Sequence, residues 1–240
     1  MRLFEIKRLV PSIFDWTKQF AGPNRYTHVG GPNGIFSRKN PHYYGPVGTY
    51  AYDLNVALKE NNSNDAFIRK ISQVASQGLD FLYILESTSK NTLFLGKYTK
   101  DQYQKDLKKV LAFFEQKCGK PRYYKDYLEK HTKYGWDKNY LATLDVLPWD
   151  DPKNIVDTIS SIAGSSREDG CVKNYNIVTN YILRQVLGYD AVRDAPGQSN
   201  ISLEDYEPDQ IVFLINTAYK ILDVYPKPIT TQRTKSFNST

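Results

Sequence analysis

Methionine, cysteine and histidine are scarce in this chain of 240 residues: it holds one Met, two Cys and three His. Two cysteines, Cys118 and Cys171, are too few for a disulfide framework or a four-cysteine zinc site. His28, His42 and His131 stand far apart without metal-ligand spacing, which excludes a histidine zinc motif. No run approaches eighteen apolar residues, so no membrane-spanning helix is expected. The first residues, MRLFEIKRLVPSIFDW, are interrupted by Glu5, Lys7, Arg8 and Pro11 and do not form the apolar run of a secretory signal. These absences together make a reducing, cytoplasmic setting the expectation, with Cys118 an incidental cysteine despite its basic surroundings.

Aromatic residues are what the chain has in quantity. Nineteen Tyr, eleven Phe and three Trp make up 14% of the sequence, within an apolar content of 40% and a charged content of 24%. That balance belongs to a folded globular protein with a rigid core. The net charge is +6, and it is unevenly spread. Residues 226–240 carry Lys227, Arg233 and Lys235 with no acid, which reads as a basic tail. Residues 117–140 carry seven basic against three acidic side chains, interleaved with five tyrosines and Trp136. Such a mixture suits a single-stranded nucleic-acid platform, where bases stack on rings and cations follow phosphates. A solvated face whose lysines lie over inward tyrosines is the plainer reading and the one favoured.

Periodicity divides the chain into mixed elements. Ser12 is a candidate cap for a helix over 12–20 that stops at Gly22-Pro23. Residues 23–54 are turn-rich, with strand alternation at 47–54, and 59–66 read as a surface loop. Apolar spacing predicts a helix over 67–75 ending at Gly78. The runs 81–85 and 92–95 predict a pair of strands, and 101–117 an amphipathic helix with Tyr103, Leu107, Val110, Leu111 and Phe114 on one stripe. Further helices are expected at 151–164, with Pro152 in the first turn, and at 173–187, with Ile177, Val178, Tyr181, Ile182 and Leu187 as its apolar face. Strands at 189–192 and 210–215 and a helix at 217–224 complete an α+β domain over 23–225, preceded by an arm over 1–22 and followed by the tail.

No single cluster carries chemistry. Glycines at 30–34 and 45–48 match neither a phosphate loop nor a dinucleotide fingerprint, and the acids Glu204, Asp205, Glu207 and Asp209 read as readily as a solvated loop. Two blocks taken in order say more. The first is Tyr26-Thr27-His28-Val29-Gly30 followed by Tyr44-Gly45-Pro46-Val47-Gly48-Thr49-Tyr50-Ala51-Tyr52. The second is Leu187-Gly188-Tyr189-Asp190-Ala191-Val192, then Glu207-Pro208-Asp209-Gln210-Ile211-Val212-Phe213-Leu214. Together they resemble the ADP-ribosyltransferase-like proteins of the phage polyvalent and virion-associated group, over about residues 23–222.

The resemblance implies a split, strongly bent antiparallel sheet that grips extended NAD, used as a substrate, without a metal. Residue by residue it implies that His28 holds a ribose hydroxyl, that Tyr50 (or Tyr52, two positions along the same strand face) packs near nicotinamide, and that Gln210 fills the third catalytic position. A carboxylate there would stabilise the oxocarbenium character of the transition state, and Gln210 carries no charge. Glu207, before Pro208, is the alternative. Ser87-Thr88-Ser89 echoes a second transferase class but reads as turn material. Two functions follow: a phage-encoded transferase that modifies a host protein or nucleic acid, or a virion assembly protein that contacts other virion proteins and keeps the fold without catalysis. Neither needs a membrane, and both place the chain in host cytoplasm or a phage particle.

Overall fold

The computed structural model describes residues 13–30, 47–60, 81–118, 152–168, 170–194 and 210–225. They form mixed α and β structure, distributed over two compact units that each draw on separated stretches of chain. The expected helix over 67–75, the basic stretch at 119–140, Glu207 and the tail lie outside the described residues.

The first unit is built on antiparallel strands β1 (Arg25–Gly30), β2 (Thr49–Asp53), β3 (Phe81–Ser87) and β7 (Tyr219–Tyr225). β1 lies between β2 and β3, and β3 in turn pairs with β7. The register sets Thr27 opposite Tyr52 on one side and His28 opposite Tyr83 on the other. A bulge interrupts the β3–β7 ladder between Ile84 and Leu85. Two helices, α1 (Ile13–Lys18) and α2 (Leu54–Glu60), belong to the same unit. Val29, Leu54, Ala57, Leu82, Ile84 and Tyr225 form its buried core, and Trp16 of α1 sets its ring 5.1 Å from that of Tyr225. Burying such rings removes large apolar areas from water, which is the main force holding the unit together.

Of the surface loop expected at 59–66, residues 61–66 lie outside the described residues, while Lys59 and Glu60 end helix α2, which Asp53 caps by accepting from the backbone N–H groups of Asn55 and Val56 at 2.9 and 3.3 Å. The helix expected at 217–224 is strand β7, after a short 3-10 turn at Asn216–Ala218. Its apolar residues satisfy either period over so short a run, and pairing with β3 decides the matter.

The second unit holds three strands of mixed direction and a helical layer. β4 (Thr92–Phe94) runs parallel to β5 (Ala191–Arg193), which is antiparallel to β6 (Gln210–Phe213). The runs 81–85 and 92–95 are therefore both strands, as expected, but β4 takes β5 as its partner and β3 takes β1 and β7.

Helix α3 (Lys100–Cys118) buries Tyr103, Val110 and Phe114 along the expected stripe. A 3-10 turn at Pro152–Asn154 leads into α4 (Ile155–Glu168). Helix α5 (Tyr175–Tyr181) is capped by Asn174, whose Oδ1 accepts from Asn176 and Ile177 N–H at 3.1 and 3.2 Å, and it continues as a π-turn at Ile182–Val186. Gly188, with φ of 83°, ends that turn in a conformation that favours glycine.

The buried face of α5 differs from the expected one. Ile177 and Tyr181 are exposed, while Tyr175, Asn176 and Thr179 face inward and Ile182 and Leu183 continue that face. Thr179 can be buried because its hydroxyl donates to the Tyr175 carbonyl at 2.8 Å and lies 3.3 Å from the Ser160 hydroxyl.

Cys118 is not incidental. It is bonded to Cys171, with Cα atoms 5.6 Å apart, across 53 residues of chain. On chain-entropy grounds a loop of that length is worth about 4 kcal/mol.

Candidate functional site

The expected site residues fall into both units, and each is described within its own. In the first, His28 is buried in β1 and Tyr50 is half-buried in β2. The His28 Nδ1 lies 2.6 Å from the Tyr50 backbone carbonyl. A carbonyl only accepts, so Nδ1 is the donor in this contact. His28 and Tyr50 are thus brought together, through the tyrosine's backbone rather than its ring. Tyr52 is buried in the same strand.

Tyr83, opposite His28 on β3, sets its ring centroid 6.2 Å from the imidazole. Sequence reasoning missed it, because only the strand register juxtaposes the two. Thr49, next to Tyr50, is buried, and its hydroxyl lies 3.3 Å from that of Tyr219.

In the second unit Gln210 opens β6, buried at 2% exposure, and its backbone carbonyl accepts from Asp194 N–H at 2.9 Å. Its side chain is a neutral amide, able to donate and accept hydrogen bonds but not to balance a cation.

The motif glycine Gly48 has a packing role. A Cβ there would sit 2.5 Å from the Phe213 carbonyl oxygen and 2.7 Å from a Val212 methyl. Only glycine permits that approach. The Gly188-Tyr189-Asp190 turn is equally built: Asn91 Nδ2 donates to the Gly188 carbonyl at 2.8 Å, and Lys90 N–H donates to Asp190 Oδ2 at 3.0 Å.

A concentrated polar cluster among the described residues of the second unit lies at Asp106, which sequence reasoning also passed over. Asp106 Oδ2 accepts from the hydroxyls of Tyr98 and Tyr189 at 2.8 and 2.9 Å, and Oδ1 accepts from Lys109 Nζ at 2.9 Å. Burial alone would raise its pKa, but the bonds from Lys109, Tyr98 and Tyr189 and the lysine's charge hold it below the ordinary 3.8. Burial first, and then the bond to the carboxylate, push both tyrosines well above their ordinary range. The signal was legible: Asp106 is a charged residue on the stripe that Tyr103 and Val110 bury.

Of the Ser87-Thr88-Ser89 run, Ser87 is the last residue of β3, and Thr88 and Ser89 lie in the segment that follows it. Thr88 donates from its hydroxyl to the Thr217 carbonyl and from its N–H to the Ala218 carbonyl, each at 2.8 Å. Among the described residues no group of three or more His, Cys, Asp or Glu is placed to hold a metal ion, and no helix is long and apolar enough to cross a membrane. No protein-family model, curated protein or solved structure matches the chain.

Proposed function

We propose that this protein is an ADP-ribosyltransferase-like protein that binds NAD, with His28 and Tyr50 contacting the nicotinamide riboside and Gln210 in the third position. The observation that carries the reading is the 2.6 Å contact between His28 Nδ1 and the Tyr50 carbonyl. It holds the imidazole in one orientation against β2, the strand that carries Tyr50, and a fixed ring is what a ribose contact requires. Tyr50 keeps part of its side chain exposed, as a ring that packs on nicotinamide must. The two blocks of sequence likeness add the order His, Tyr, Gln along the chain and the split, bent sheet that goes with it.

Transfer would break the bond between the nicotinamide nitrogen and ribose C1′. The electron pair leaves with nicotinamide, and a nucleophile on a host protein or nucleic acid bonds to C1′. Positive charge develops on the ribose along the way, and Gln210, the residue that the sequence likeness implies for the third position, carries a dipole rather than a carboxylate. Binding is therefore supported further than turnover. The neutrality of Gln210 favours a second reading, a phage virion assembly protein that contacts other virion proteins and retains the fold without catalysis.

Nicotinamide release from NAD, measured for the wild type and for Gln210→Glu, separates the two. The transferase reading expects slow release by the wild type and a rise of ten-fold or more in Gln210→Glu. Binding with no release from either protein favours the assembly role.

A further inference from the structure

We propose that the Cys118–Cys171 disulfide is a redox-sensitive clasp on the helical layer of the second unit: a dithiol reductant opens it and frees the last turn of α3, and reoxidation closes it. The bond joins the final residue of α3 to the turn between α4 and α5. Neither cysteine is fully buried, so the bond lies near the surface, where an external thiolate can approach it.

Among the described residues, little else holds the end of α3. Phe114 is its last fully buried side chain, and Glu115, Gln116 and Lys117 are all exposed. Phe113 meets Tyr181 with ring centroids 5.7 Å apart, but it lies more than a turn before Cys118. On the other side, the turn holding Cys171 starts at Gly170, with φ of 75°, and has its own closure, a bond from Val172 N–H to the Ser166 carbonyl at 3.0 Å. Opening the clasp therefore releases a short, otherwise exposed helix end while the helices keep their buried contacts. A switch needs this division between what moves and what stays.

The chemistry balances with an external dithiol. One of its thiolates attacks a clasp sulfur, forming a mixed disulfide, and the other clasp sulfur leaves as a thiolate and takes up a proton. The second external thiolate then displaces the remaining cysteine, which is protonated in turn. The protein gains two electrons and two protons, and the dithiol becomes a cyclic disulfide.

The test uses the whole chain purified without reductant. Alkylation under native conditions should add no adduct, and brief native treatment with dithiothreitol should then expose two alkylatable thiols. Amide hydrogen exchange should accelerate in the reduced protein at residues 115–118 and 170–172, with 103–114 still protected. The melting temperature should fall by roughly 10 °C. A double variant, Cys118→Ser with Cys171→Ser, should match the reduced protein and ignore the reductant. If that variant fails to fold, reduced and reoxidised wild type in one buffer supply the same comparison. Alkylation of both cysteines before reduction would overturn the proposal. So would a bond that dithiothreitol opens only after denaturation, or exchange that is the same in both states.

Discussion

His28 and Asp106 are each the polar centre of their own unit, and they are held in opposite ways. Asp106 is tied by three side chains, Tyr98, Tyr189 and Lys109, which engage both carboxylate oxygens. His28 has its Nδ1 fixed by the backbone carbonyl of Tyr50, a partner that no side-chain substitution removes. A carboxylate taken up on both oxygens by its own fold is a structural device, because a substrate would have to displace a bond to reach it. A ring oriented by backbone keeps its geometry whatever surrounds it, as a binding residue needs. Asp106 should accordingly matter to stability, and His28 to ligand.

Substitutions should sharpen that contrast. The largest effect is expected from Asp106→Ala, which leaves two tyrosine hydroxyls and a lysine without their acceptor. Chemical denaturation should show a loss of about 3 kcal/mol. Gly48→Ala should cost about 2 kcal/mol, since the new methyl meets the Phe213 carbonyl and backbone must shift. An unchanged denaturation midpoint would mean that the approach at Gly48 is slack. His28→Ala should cost less than Asp106→Ala in stability, about 1 kcal/mol, yet remove NAD binding.

A pH series sharpens the contrast within the second unit. Asp157, in the first turn of α4, has its pKa raised by burial from 3.8 to about 6. Its contribution to the fold is greatest below its unfolded value and is lost as pH rises from about 4 to 6. Asp106, held below 3.8, contributes above that value and loses its contribution as pH falls through its lowered range. Asp157→Asn should therefore raise stability at pH 7 by about 1 kcal/mol and flatten the profile between pH 4 and 6. The smallest effect is expected from Tyr189→Phe, which removes one of the two hydroxyls on Asp106 Oδ2 and should cost somewhat under 1 kcal/mol in the same assay.

Local periodicity made the amphipathic helix α3, the Pro152 start before α4 and the stop at Gly188 legible, because each rests on neighbours within a turn. What depends on distant partners was not. β4 pairs with β5 across about a hundred residues, and β7 is a strand because β3 lies beside it. The inward face of α5 carries Asn176 and Thr179, polar residues that an apolar period passes over, and Thr179 is accommodated by a bond to the Tyr175 carbonyl one turn back and by the Ser160 hydroxyl of α4. Of the site, the closeness of His28 and Tyr50 was implied by family likeness rather than by spacing. Tyr83 became visible only through strand register, whereas Asp106 was marked in the sequence as a charge on a buried stripe and its partners Tyr98 and Tyr189 were not. The bond between Cys118 and Cys171 went unexpected because scarce cysteines and the lack of a secretory signal pointed to a reducing setting.

The central claim is that His28, oriented by the Tyr50 carbonyl, belongs to an NAD site. Calorimetric titration of NAD into the purified protein, beside His28→Ala, tests it most directly. Saturable binding at up to millimolar NAD in the wild type, lost in a folded His28→Ala, is the predicted result. No binding heat in the wild type, or equal binding by His28→Ala, would contradict it.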